Sequence, residues 1–347
     1  MRTNATTMSL VAGMAVGGAV LAGPPRAGEI SEHARVLMHV DLDTMRSTHV
    51  GEWLLGRMED ESNDFAELRE VLPGFTLRAE GGLTGLTAYA GNLNDDGPEN
   101  LVVVLKGDEH LRTWFDAIAD KLEQEAGQEP VKVGGHSALL VPMDDETGYL
   151  TLVREGGSYT AVLGQSEESF TEGVGVLTGD RSSLGAEGRA ELSDAWRDGT
   201  IMLFGASKLE LFGQMDEASA VMESVKSVWG RFGEDDGTLF AQAKFTSDAD
   251  EKVQQLVTAY HGLMAFGMLM QNDHEELREV MKMAQSLTMQ ASGGSLIVSF
   301  ERDAEEMIRW IEEQEARKDG WDDGHDDHHH DDDGWGHEDD DDDGWDD

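Results

Sequence analysis

Short segments of alternating polarity, closed in pairs by Gly- and Asp-rich turns and separated by amphipathic helices, leave this chain few architectures. Tight turns join neighbouring strands antiparallel, whereas parallel pairing needs a long crossover. Tyr149–Glu155 and Ser158–Gly164 form such a pair over Gly156-Gly157. Leu287–Ser292 and Ser295–Glu301 repeat the device over Gly293-Gly294. Leu83–Asn92 and Asn100–Lys106 flank the turn-rich stretch NLNDDGPE. Helices with one apolar stripe must bury it against such sheets. The predicted class is α+β: two similar halves, each a mainly antiparallel sheet with helices packed on one face, followed by a disordered acidic tail.

Along the first half, Arg35–Asp43 alternates, with Val36, Met38, Val40 and Leu42 on one side and His39, Asp41 and Asp43 on the other. That pattern is a half-buried strand. Residues 44–72 carry a helical stripe of Leu54, Leu55, Met58, Phe65, Leu68 and Leu72, ended by Pro73-Gly74. Asp108–Ala126 places Leu111, Trp114, Phe115, Ile118 and Leu122 on one helix face. Val131–Val133 and Ala138–Pro142 read as strands and Ser166–Leu177 as a closing helix. In the second half, Thr200–Ser207 and Leu239–Phe245 read as strands. Lys208–Phe232, Asp248–Met270, His274–Ala284 and Ala304–Arg317 read as helices.

The two halves share a grammar. Each opens on a strand and a long helix, and each ends with a strand feeding a helix, as in TAVLGQSEESFTEGVGVL and LIVSFERDAEEMIRWIEE. This implies an internal repeat of an α+β unit. The expected organisation is a signal peptide over 1–22, a linker over 23–34, a first half over 35–180 and a linker over 181–199. A second half over 200–317 and a tail over 318–347 complete it. The layout is similar to uncharacterised exported bacterial proteins with duplicated α+β halves, through the leader, the opening VLMHVDLDTM with its helix, and the strand–helix order. That resemblance implies no activity and brings no functional residues.

The leader reading rests on Arg2, the apolar and small run Met8–Ala22, and small residues at Val20 and Ala22 for cleavage, with a second cut after Ala27. The run is short for a membrane span of ~20 residues. An exported protein in the periplasm or outside the cell, with no stable span after cleavage, is the expectation. The chain has no Cys, which excludes disulfides, thiolate metal sites and a lipidated N-terminal Cys. The net charge is −45 over 347 residues, and the stretch before the tail is strongly acidic in its own right. Such a field repels nucleic acid and anionic membranes and draws in cations.

The tail, KDGWDDGHDDHHHDDDGWGHEDDDDDGWDD, has almost no aliphatic side chains to offset the entropy of ordering. Its histidines, His325, His328, His329, His330 and His337, are ligands for zinc, nickel or copper(II), with Asp326, Asp327 and Asp331 completing the sphere. The Asp runs add weak oxygen sites for calcium. No cofactor is required; a divalent metal at the tail is the one such group implied. The surrounding carboxylates favour imidazolium, so protons compete with metal and affinity falls on mild acidification. A solvated acidic tail that only confers solubility is the competing reading. Asp-Gly-Trp occurs at 319–321, 333–335 and 343–345, so Trp321, Trp335 and Trp345 are candidate anchors for a protein partner, or products of repeat expansion.

Enzyme motifs fail one by one. Gly164-Gln165-Ser166-Glu167-Glu168 lacks the closing Gly of a nucleophile elbow, and His274-Glu275-Glu276-Leu277-Arg278 lacks the second His of a zinc-protease helix. His39, Asp41 and Asp43 share a strand face and could hold a metal, although a solvent-facing polar face is the simpler reading. Met264, Met268, Met270, Met281, Met283 and Met289 crowd one region, as core filling or as an apolar binding surface. The reading that results is an exported non-enzymatic binding or structural protein with a cation-binding tail. The alternatives are an exported hydrolase with a dispersed carboxylate site and a surface-docking protein using the Asp-Gly-Trp repeats.

Overall fold

The computed structural model describes residues 23–322 apart from 73, 79–81, 95–96, 144–145, 156, 208–224, 249, 271–280 and 282. The leader, 1–22, lies outside them. After a 3-10 turn at Ala27–Glu29, β1 (Val36–Asp41) leads into three helices, α1 (Leu42–Ser47), α2 (His49–Glu61) and α3 (Asn63–Val71). Next come β2 (Leu83–Ala90), a small ribbon of β3 (Asn92–Asn94) and β4 (Gly97–Glu99), β5 (Val102–Gly107) and α4 (Glu109–Ala126). The first half closes with β6 (Val131–Val133), β7 (His136–Met143), β8 (Glu146–Glu155), β9 (Ser158–Gly164) and α5 (Glu167–Thr178). Then follow α6 (Ala186–Ala195), β10 (Thr200–Ser207), β11 (Val225–Asp235), β12 (Thr238–Ser247) and α7 (Asp250–Met270). The chain continues through β13 (Leu287–Ser292), β14 (Ser295–Asp303) and α8 (Ala304–Asp322).

Local chemistry sets these boundaries. The side chains of Asp41, Thr48, Asp108 and Ser166 accept backbone N–H groups at the starts of α1, α2, α4 and α5, where a helix leaves donors unpaired. Gly127 and Gly179 end α4 and α5 in the left-handed conformation. Asp236-Gly237 and Gly293-Gly294 have positive φ throughout, as a tight hairpin turn requires, and close β11–β12 and β13–β14.

The α+β class with an antiparallel sheet is what the structure shows, and the two halves share one sheet. Its order is β13-β14-β12-β11-β10-β1-β2-β5-β9-β8-β7-β6. The first strands of the halves, β1 and β10, meet antiparallel, with Met38 opposite Phe204 at the middle of the contact. Outward from that seam the order is β1-β2-β5-β9-β8-β7-β6 on one side and β10-β11-β12-β14-β13 on the other. The first five ranks on the two sides follow the same order of hairpins, and β7 and β6 extend one side beyond them.

In the first half the helical cover extends to both sheet faces. Val103, Leu105, Ala161 and Leu163 pack in one cluster with Leu55, Leu68, Trp114 and Ile118 from α2, α3 and α4. Their strand neighbours Val102, Val104 and Val162 pack in a second cluster with Phe170 and Val174 of α5 and Leu192 of α6. Successive strand residues point to opposite faces, and β5 and β9 are apolar on both. Such strands must be covered twice.

Three segments differ from their sequence reading. Residues 225–232, expected within a helix, form most of β11. Val228, Gly230 and Phe232 alternate there with Ser227, Trp229 and Arg231, and pairing to β10 and β12 wins over helical spacing. Within 181–199, α6 is a packed helix with Leu192 buried. The last helix, α8, runs to Asp322 and takes in Trp321.

Candidate functional site

The second half of the sheet has one face whose central rows are built from apolar residues and glycine. Directly paired residues of antiparallel strands share a face. On this face Met202, Phe204 and Ala206 of β10 pair with Phe232, Gly230 and Val228 of β11. These pair onward with Ala241, Ala243 and Phe245 of β12, and then with Phe300, Val298 and Leu296 of β14. Leu287, Met289 and Ala291 of β13 complete the rows. The opposite face of the same strands carries Ser227, Arg231, Gln242, Lys244, Ser299, Thr288 and Gln290. That opposite face also buries Leu203 and Phe240 and half-buries Trp229, so it is covered near the seam and polar farther out.

That apolar face is open at the seam. Met38, Met202 and Phe204 are 37%, 38% and 44% exposed, and all three lie on it, because Val40, their neighbour in the same rows, belongs to the cluster under α2 and α3. Two aromatic–glycine crossings shape the centre. A side chain at Gly230 would collide with the Phe204 ring, and one at Gly205, on the opposite face, would collide with Trp229. Each ring therefore lies flat across the neighbouring strand, and Phe204 presents its other side outward. On α7, Leu263 is 71% exposed and Met268 44%. Of the methionines singled out, Met281 is buried, Met264, Met283 and Met289 are half-buried, and Met268 is exposed. Met270 has no described side chain. The region is therefore part core and part surface.

The polar face read onto β1 is not a solvent face. The strand ends at Asp41, and Asp43 belongs to α1. His39 and Asp41 are buried. The His39 Nε2 donates to the Gly23 carbonyl at 3.1 Å, so Nδ1 accepts from the Thr87 hydroxyl at 2.8 Å. Its ring stands edge-on to Trp196, with centroids 5.6 Å apart. Burial, and secondarily the Lys106 charge, hold the His39 pKa down at about 4, so the ring is neutral at pH 7. Asp41 caps α1 through the N–H groups of Asp43 and Thr44, both at 3.1 Å, and burial raises its pKa. Asp43 pairs with Arg46 at 3.7 Å. These groups serve the fold, and the three do not converge on one point. Among the described residues no group of three His, Asp or Glu side chains is placed to hold a metal ion.

The tail candidates His325, His328, His329, His330, His337, Asp326, Asp327 and Asp331 lie outside the described residues, as do Trp335 and Trp345. The open face was missed in the sequence because it emerges only when five strands are put in register. Its one local signal is the apolar set Met202, Phe204, Ala206, which by itself marks only a strand.

No family model and no curated protein matches this chain. Among solved structures, the chain is similar to those described as crystal forms I, III and IV of TP0453. For form I, identity is 9%, TM-score 0.42, and the alignment covers 84% of this chain and 99% of that one. For form IV, identity is 10%, TM-score 0.44, and coverage 83% and 97%.

Proposed function

We propose that this is an exported, non-enzymatic binding protein that receives an apolar partner on its open sheet face and chelates divalent cations with its C-terminal tail. The carrying observation is the exposure of Met38, Met202 and Phe204 side by side at the seam. Contiguous apolar surface is costly to leave in water, and on soluble proteins it marks interaction sites. The leader-like N-terminus supports export, and the tail's imidazole and carboxylate content supports the cation role.

A bis-ANS titration tests the face. The dye should bind with a strong rise in emission, and Met202→Ser with Phe204→Ser should cut that signal severalfold at a nearly unchanged melting temperature. An unaltered signal in the double variant would refute the assignment. The tail is tested separately by calorimetry of the full chain against one ending at residue 322. Copper(II), nickel(II) or zinc should bind the full chain in the micromolar class at neutral pH, more weakly at pH 5.5, and the shortened chain far less. No heat with any of the three ions removes the cation role.

A further inference from the structure

The chain before β1 is part of the fold, although its Pro and Gly content reads as a linker. The Gly23 carbonyl accepts from His39 Nε2 at 3.1 Å, and His39 is 1% exposed. Pro25 is buried. Arg26 pairs with Glu29 at 3.5 Å, and the Arg26 carbonyl accepts the Glu29 N–H at 2.8 Å, which closes the 3-10 turn at Ala27–Glu29. The buried Glu29 carboxylate also meets Lys106 of β5. Ala27 packs against the cluster that holds Ile30, Leu37 and Val104. Farther on, the Ile30 carbonyl accepts from the Leu184 N–H at 2.9 Å, and Ser31 bridges to Ser183. Residues 23–34 thus form a strap, fastened at its first residue and at intervals to its end.

Export leaves two bonds as candidate ends of the leader, Ala22–Gly23 and Ala27–Gly28. They differ in what they leave behind. A cut at Ala27–Gly28 falls inside the 3-10 turn and discards residues 23–27. His39 then loses the acceptor of its buried Nε2–H, and a buried donor without a partner is costly. Glu29 loses Arg26, and its N–H loses the carbonyl that closed the turn. Pro25 and Ala27 leave the packing they fill. A cut at Ala22–Gly23 spares every one of these contacts. The residues before each bond point the same way. Small side chains, Val20 and Ala22, stand third and first before the first bond, whereas the Pro25 ring and Arg26 stand third and second before the other.

We infer that the chain is processed at Ala22–Gly23 by a leader peptidase that reads those two small residues, and that Gly23 is the first residue of the mature protein because its carbonyl and the strap behind it belong to the fold. Water is consumed in the step. The C–N bond breaks, Ala22 takes the water oxygen as a carboxylate, and the Gly23 nitrogen takes the two protons as an α-ammonium. The inference rests on the exported reading of the chain and is independent of the open sheet face and of the tail.

Expression of the full chain in an exporting bacterial host, followed by intact mass and N-terminal sequencing of the protein from each cell fraction, tests the inference. The exported species should begin at Gly23. Ala22→Arg should abolish that species, and Ala27→Arg should leave it. A start at Gly28 or at any other residue, or a Gly23 start that survives Ala22→Arg, overturns the inference while export stands. An unprocessed chain retained inside the cell removes the export reading and the inference with it. A second measurement concerns the strap itself. Chains released from a cleavable fusion to begin at Gly23 or at Gly28 are compared by urea denaturation, and the Gly28 chain should unfold at a clearly lower midpoint. Equal midpoints would show that residues 23–27 add nothing to the fold and would overturn the choice between the two bonds.

Discussion

His39 is the buried titratable group with the plainest consequence for stability. Its folded pKa of about 4 lies below the ordinary value of 6.5, so the neutral ring stabilises the fold above pH 6.5. That stability drains as pH falls from 6.5 through 4, because the unfolded chain takes the proton first. At 1.36 kcal/mol per pKa unit the full loss is about 3 kcal/mol. His49 acts with the opposite sign, since its hydrogen bond to Glu234 raises its pKa and its contribution fades as pH rises. Urea midpoints from pH 7 to pH 4 should therefore fall more steeply in the wild-type protein than in His39→Gln. Parallel curves would contradict the assignment. Alternation correctly set His39 opposite Val40 in the sequence. It could not show that the polar side was also covered, because that cover comes from Trp196 and Gly23, distant along the chain.

At the scale of elements, one carboxylate ties the halves together. Glu234 of β11 is buried and accepts from the Val50 N–H and from His49 Nδ1, both at 2.8 Å. It thus neutralises the first turn of α2 from the other half of the chain, where a helix favours negative charge. Glu234→Ala leaves the Val50 N–H unpaired and should cost about 2 kcal/mol. Glu234→Gln keeps an acceptor and should cost clearly less, which paired denaturation curves would read directly. Nothing in the sequence around Glu234 signals this role; β11 runs through it to Asp235, and the turn follows at Asp236-Gly237. Most strands and helices were legible because their caps, glycines and periodicity agree with the final structure. Residues 225–232 were not, because a segment with both Lys and Val at mixed spacing is decided by its strand partners.

For the whole molecule, the legible part was the α+β class with antiparallel strands; the illegible part was the joining of those strands into one sheet. No local pattern in Val36–Val40 or Met202–Ala206 states that these strands pair with each other. The continuous sheet predicts joint unfolding of the halves. Far-UV circular dichroism and tryptophan fluorescence should give coincident urea transitions, and two separated midpoints would show the halves to be independent. The charge of −45 adds a salt dependence, since self-repulsion is screened as ionic strength rises. The seam also has a meaning for assembly. A lone half would offer its first strand as an unpaired edge, and the β1–β10 pairing at Met38 and Phe204 is where two such edges would clasp. The chain thus joins two such edges within a single polypeptide. Cutting it between the halves should yield fragments that recombine through that strand pair.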